Sequence, residues 1–252
     1  MTYSDTDGTI RKRSGWLIPL GVFLVTASLS ALVLLFYLVP TAPNFLEEQV
    51  APTSRSDLIP LKIHDLKLWV PANYLQYESA RQGGQRKDLA LFAVLPDMSG
   101  WSNWEAATFT GNAPDSPVVY MLIRDESLNL SEADRLSRIY LAYVTNPRGV
   151  AGPFGLTQYT FREDSGYRRE DLFVGQSDSG PVVLRCVRFS PEVSSPSCLR
   201  DMPIGNKVAL SYRFKREHLA RWREIGDGIV KLVATFKTPP KTQAETDTQP
   251  RP

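Results

Sequence analysis

WLIPLGVFLVTASLSALVLLFYLV, residues 16–39, is an uncharged run of about two dozen residues whose polar content is little more than small hydroxyls. At a helical rise of about 1.5 Å per residue, a stretch of this length crosses roughly 30 Å of hydrocarbon. A helix packed on the surface of a globular domain would carry a polar stripe, and this one has none. The run is therefore expected to be a transmembrane helix, dividing the chain into a short tail, an anchor and one folded body.

The flanks orient that anchor. Arg11, Lys12 and Arg13 precede it, whereas Pro40-Thr41-Ala42-Pro43 and then Glu47 and Glu48 follow. The positive-inside rule puts the N-terminus in the cytoplasm and the C-terminal body outside it, which in a bacterium is the periplasm. A cleaved signal peptide is the rival, but its apolar core would be shorter, and the one plausible cut, after Ala42, would precede a proline. The expectation is a single-pass protein of the inner membrane that meets lipid through residues 16–39.

The segments on either side follow from composition. Residues 1–15 are polar and aperiodic and read as a cytoplasmic tail. Residues 40–60 carry four prolines and read as a semi-extended linker. Residues 239–252 read as a disordered tail, which leaves 61–238 as the folded domain. The chain has 252 residues and a formal net charge of +2. Near-neutrality argues against nucleic acid as a partner.

Within the body the pattern is mostly strand. Residues 66–70 alternate in polarity, 89–95 and 118–123 are apolar on both faces, and 156–161, 172–174 and 182–189 follow with Gly, Ser and Asp between them. Residues 207–214 alternate again, which predicts a half-exposed strand. Ser131 begins a helix N-cap signature with Asp134 three residues on, and Leu136, Ile139, Tyr140 and Tyr143 follow at helical spacing. From about residue 216 to 236, Leu219, Trp222, Gly226, Ile229, Val233 and Phe236 form one seam. Gly226 on that seam implies either close approach to a sheet or a kink. These elements predict an α+β domain, a mostly antiparallel sheet with two helices packed on one face.

Cys186 and Cys198 are the only cysteines. Their spacing fits neither CxxC nor a zinc knuckle. An oxidising compartment permits a disulfide, which would close a loop of about a dozen residues and contribute on the order of 3 kcal/mol. Two separate buried thiols are the alternative.

No constellation for catalysis stands out. Residues 176–181, QSDSGP, resemble the surroundings of a serine-protease nucleophile, with Ser179 in its place, but such an enzyme needs a histidine base. His64 and His218 are the only histidines, and neither has the context of one. A turn between two strands uses the same residues. His64 and Asp65, as neighbours on a strand, would point to opposite faces and form no chelate. The acidic doublets Asp125-Glu126, Glu163-Asp164 and Glu170-Asp171 sit at expected strand ends, where solvation alone gathers charge. The glycine-dense loop 146–155 matches no nucleotide-binding motif, although Arg148 and successive amides there would suit an anion. No metal and no cofactor is expected.

Contact residues are easier to nominate. Trp101 and Trp104 lie in a Ser/Gly/Asn-rich segment, suited to a partner surface or to a lid over the sheet edge. Arg213, Arg216, Arg221 and Arg223 fall on the last strand and helix and would form a basic patch if left unpaired. These features favour a non-catalytic, membrane-anchored periplasmic domain that binds another envelope macromolecule, as an accessory subunit or an immunity-type protein. The alternative is a periplasmic hydrolase acting on cell wall or peptide through Ser179 or the acidic doublets.

Overall fold

The computed structural model describes residues 15–38, 48–127, 130–178 and 180–240. The chain divides into two units, residues 1–48 and 49–252. In the first, α1 (Leu17–Leu38) is a single uninterrupted helix. Its segment Ile18–Leu35 has a mean hydropathy of 2.3 and buries none of its surface against protein. A helix so apolar on every side has no stable solvent-facing stripe.

In the second unit the strands run β1 (Leu58–Ile63), β2 (Leu66–Pro71), β3 (Gly84–Arg86) and β4 (Asp88–Val94). The short helix α2 (Ala106–Thr110), β5 (Val118–Asp125) and α3 (Glu132–Arg138) come next. They are followed by β6 (Val150–Ala151), β7 (Thr157–Thr160), β8 (Glu170–Ser177), β9 (Gly180–Val187), β10 (Ser197–Gly205), β11 (Val208–Lys215) and α4 (Trp222–Lys237). The large sheet has the order β4-β5-β11-β10-β9-β8-β7-β6 and is antiparallel throughout. A second sheet, β2-β1-β3, pairs β1 with β2 antiparallel and with β3 parallel. The body is an α+β domain.

Alternation along the strands sorts the core. Leu89 and Leu91 of β4, Val119, Met121 and Ile123 of β5, and Leu210, Tyr212 and Phe214 of β11 point to one face. There they meet the α4 seam of Trp222, Ile225, Ile229, Val233 and Phe236, together with the apolar side of the small sheet. Gly226 lies on the seam because there is no room for more: a Cβ at that position would come within 3.1 Å of Arg200 Nη1 and 3.4 Å of Tyr212 Oη. Close approach, not a kink, explains the glycine.

Other expectations need correction. The two helices do not share a face: α3 and the turn Tyr140–Tyr143 bury Tyr140 and Val144 on Leu172, Val174 and Val183, whose neighbours Phe173 and Leu184 point to the α4 side. Successive strand residues face opposite ways, and Leu172, Val174 and Val183 are apolar on this second face, so that end of the sheet needs a cover of its own. The helix from Ser131 is also shorter than its spacing implied, since α3 ends at Arg138 and the rest tightens into a 3-10 turn. Likewise Arg216–Arg221 is 3-10, and the α-helix proper starts at Trp222.

The folded body begins before residue 61. β1 starts at Leu58, inside the expected linker, with Ile59, Leu61 and Ile63 buried. Pro60 is tolerated because the β3 partner register starts only at Leu61↔Gly84, so its missing N–H breaks no ladder bond there. Finally, His64 and Asp65 are not on a strand. They form the tip of the β1–β2 hairpin, with His64 at φ 49° and its Nε2 3.2 Å from Asp65.

Candidate functional site

The second face of the large sheet, opposite α4, is treated differently along its width. Register places Phe92, Tyr120, Arg213, Leu199, Arg185, Leu172 and Tyr159 side by side in one transverse row. At the β4 edge, Phe92 is capped by Phe109 of α2, with ring centroids 4.7 Å apart. At the β7–β9 end, Leu172 disappears under an aromatic cluster of Tyr140, Phe161 and Tyr167. Between these two covers the row is bare. A trough of about 670 Å³ runs over β5, β11 and β10, floored by Tyr120, Leu122, Leu199 and Ser211. Tyr120 stays 40% exposed at the centre of β5.

A buried polar wedge stands beside the trough, where the sheet itself opens. β9 and β10 pair only at Cys198↔Cys186 and Leu199↔Arg185. Where they diverge, Glu132 from the first turn of α3 takes the place of a strand. Its Oε1 accepts from the Val183 backbone N–H at 2.9 Å and from Arg200 Nε at 2.9 Å, and its Oε2 accepts from Arg200 Nη2 at 2.7 Å. Arg200 Nη1 donates to Tyr212 Oη at 3.2 Å. Burial works against the Arg200 charge, but the Glu132 carboxylate and the Tyr212 oxygen outweigh it and hold the guanidinium more firmly charged than usual. Burial, in turn, pushes the Tyr212 hydroxyl above its ordinary 10.0, against the opposing effect of Arg200.

Charges in the trough are unevenly matched. Arg185 pairs with Glu170 at 2.9 Å and lies 3.8 Å from Asp201. Asp201 also accepts from Ser211 Oγ and faces Arg135. Arg124 pairs with Glu126 at 3.2 Å. Lys215 is buried, and its Nζ donates only to neutral oxygens, Asn112 Oδ1 and the Oγ and carbonyl of Ser195. Burial lowers its pKa from the ordinary 10.5, and neighbouring Arg213 lowers it further. Arg213 is exposed and makes no ion pair among the described residues.

The residues nominated from sequence are scattered. Arg213 is in the trough. Arg216 is a staple on the opposite side: it pairs with buried Asp171 at 2.7 Å, donates to the Val187 carbonyl and lies over the Phe173 and Phe189 rings. Arg221, at the end of the 3-10 turn, pairs with Glu224 in the first turn of α4, and Arg223 stacks 4.0 Å over Trp222. Trp104 is 97% exposed beside half-buried Trp101, and Arg148 is exposed in a turn held by Asn146. These arginines form no common patch. The sequence signal for Tyr120, Leu122 and Leu199 is weak, because 118–123 reads as apolar on both faces and the Pro, Asp and Gly of β10 mask its strand pattern.

The chemical candidates are placed as follows. Ser179 lies outside the described residues, and β8 and β9 pair up to Ser177↔Gly180 on either side of it. Glu170 and Asp171 point to opposite faces, each bound to its own arginines. Among the described residues no group of three His, Cys, Asp or Glu is arranged to hold a metal. Cys186 and Cys198 are direct cross-strand partners with their sulfurs 2.00 Å apart, and neither is free.

No family model matches the chain, and no curated protein does. One solved structure does resemble it: an immunity protein of the Stenotrophomonas maltophilia type IV secretion system. The likeness has a TM-score of 0.51 at 17% identity and covers 72% of this chain and 93% of that one. At that identity the two share a fold.

Proposed function

We propose that the chain is a non-catalytic, immunity-type protein of the cell envelope. In this reading α1 crosses the inner membrane with the N-terminus in the cytoplasm. The segment between α1 and β1 is a tether, and the α+β body sits in the periplasm, where it binds and blocks a protein toxin. The observation that carries the reading is the shared fold with an immunity protein over nearly that protein's whole length. The apolar helix near the N-terminus and a disulfide joining adjacent strands agree with an oxidising, extracytoplasmic location.

The test is contact killing. Cells lacking the chain, grown in surface contact with siblings that keep it, are expected to lose viability and to be rescued by the full chain. A copy beginning at residue 48 and retained in the cytoplasm should not rescue. Equal survival with and without the chain, or full rescue by the cytoplasmic copy, would contradict the proposal.

A further inference from the structure

We infer that the trough over β5, β11 and β10 holds an acidic, partly apolar segment of a partner protein, with one carboxylate of that segment seated between Arg213 and Lys215. This deepens the protein-binding reading and rests on it, by naming the surface and the chemistry of the partner. The floor supplies the apolar half of the match. Tyr120, Leu122 and Leu199 remain part-exposed in mid-strand, whereas the opposite-facing residues of the same strands are sealed by α4 and the small sheet.

Charge supplies the other half. Arg213 and Lys215 lie two residues apart on the same face of β11, about 7 Å along the strand, so both charges bear on an anion placed there. Neither has an acidic partner among the described residues, and Lys215 is held by neutral oxygens alone. Asp201, the acid lining the trough, is already engaged by Ser211 and faced by Arg135 and Arg185. A carboxylate arriving from outside would thus be the first counter-ion for exposed Arg213, with the charge of buried Lys215 behind it adding to the attraction. A phosphate-rich polymer or lipid fits worse, since it needs a row of free cations. Here Arg124 and Arg185 are taken and the floor is apolar.

The experiment places p-benzoylphenylalanine at position 120 of the full chain in living cells and maps the cross-linked segment by mass spectrometry. A synthetic peptide of that segment is then titrated against the purified chain. The segment is expected to contain Asp or Glu. Arg213→Ala should weaken the peptide about tenfold or more, and Arg213→Glu should abolish binding unless the peptide's acid is changed to Lys. A segment without an acid, no cross-link from position 120, or unchanged affinity on Arg213→Ala would overturn the inference. The same cross-linker at exposed Trp104 and Val230 separates the two levels of failure. Capture there but not at 120 removes the trough and leaves the protein-binding reading, whereas no protein captured from any of the three removes both.

Discussion

The two halves of one sheet face have opposite fates. Over β7, β8 and β9 the face is closed by Tyr140, Phe161 and Tyr167, and its strand residues Leu172 and Val174 are buried. Over β5, β11 and β10 the same face, in the same register, leaves Tyr120, Leu122, Leu199 and Arg213 facing outward. Between them stands the wedge where Glu132 replaces backbone pairing. Closed surface of this kind stabilises the fold. Open surface, with part-exposed apolar residues and the unpaired cation Arg213, contributes little to stability.

Mutations that damage the closed half and its wedge should be the most costly. Glu132→Ala strands the buried Arg200 guanidinium and the Val183 N–H, and should destabilise by about 3–5 kcal/mol in urea unfolding. Replacing both partners, Glu132→Met with Arg200→Met, should recover most of that loss, because no charge is then left buried alone. Phe161→Ala, in the aromatic cover, should cost a similar ~3–5 kcal/mol. If either single change proved neutral, the contrast between the two halves would fail at its stronger end.

Next in size is the Cys186–Cys198 bridge, at the two-pair junction that joins β9 to β10. Converting both cysteines to serine should lower stability by roughly 3 kcal/mol for a loop of this length, read as a shift of the urea midpoint. Alkaline stability follows from the tyrosines. Burial raises the pKa of Tyr212, Tyr140 and Tyr74 in the fold. Above pH 10 the unfolded chain therefore holds fewer phenolic protons than the folded one, and stability falls as pH rises through that region. Tyr212→Phe should cost about 1.5–3 kcal/mol at neutral pH, for its hydrogen bond to the buried Arg200 guanidinium, and should flatten the alkaline loss. An equally steep loss in the variant would count against burial of that hydroxyl as a cause.

The open half should give the smallest effects on folding. Arg213→Ala is expected to change unfolding free energy by less than about 0.5 kcal/mol, and Tyr120→Ala by about 1 kcal/mol, the loss of strand propensity and cross-strand contact. Their main consequence should appear in partner binding.

Much of this architecture was legible in the sequence, for reasons that also explain the gaps. The α4 seam and the two-sided strands β4 and β5 repeat at the periods of helix and sheet, so their burial follows from spacing alone. Ser131 capped α3 as its signature implied, its Oγ accepting from the Asp134 N–H at 3.0 Å. The Cys pair met across adjacent strands. β1 was hidden by Pro60 inside a proline-rich stretch, and β10 by the Pro, Asp and Gly within its nine residues. The role of Glu132 could not be seen, because its partners lie 51 and 68 residues away. The trough was invisible for a related reason: exposure of Tyr120 depends on which distant segments fail to cover it.

Both native cysteines are bridged, so a single introduced thiol is unique in the chain and reports on its own surroundings. The most direct measurement compares Tyr120→Cys with Leu172→Cys in spheroplasts treated with a membrane-impermeant maleimide. The expected result is prompt labelling at position 120 in intact spheroplasts and none at 172 until the protein is denatured. Equal labelling at the two positions, or labelling at 120 only after lysis, would contradict an open docking face held outside the inner membrane.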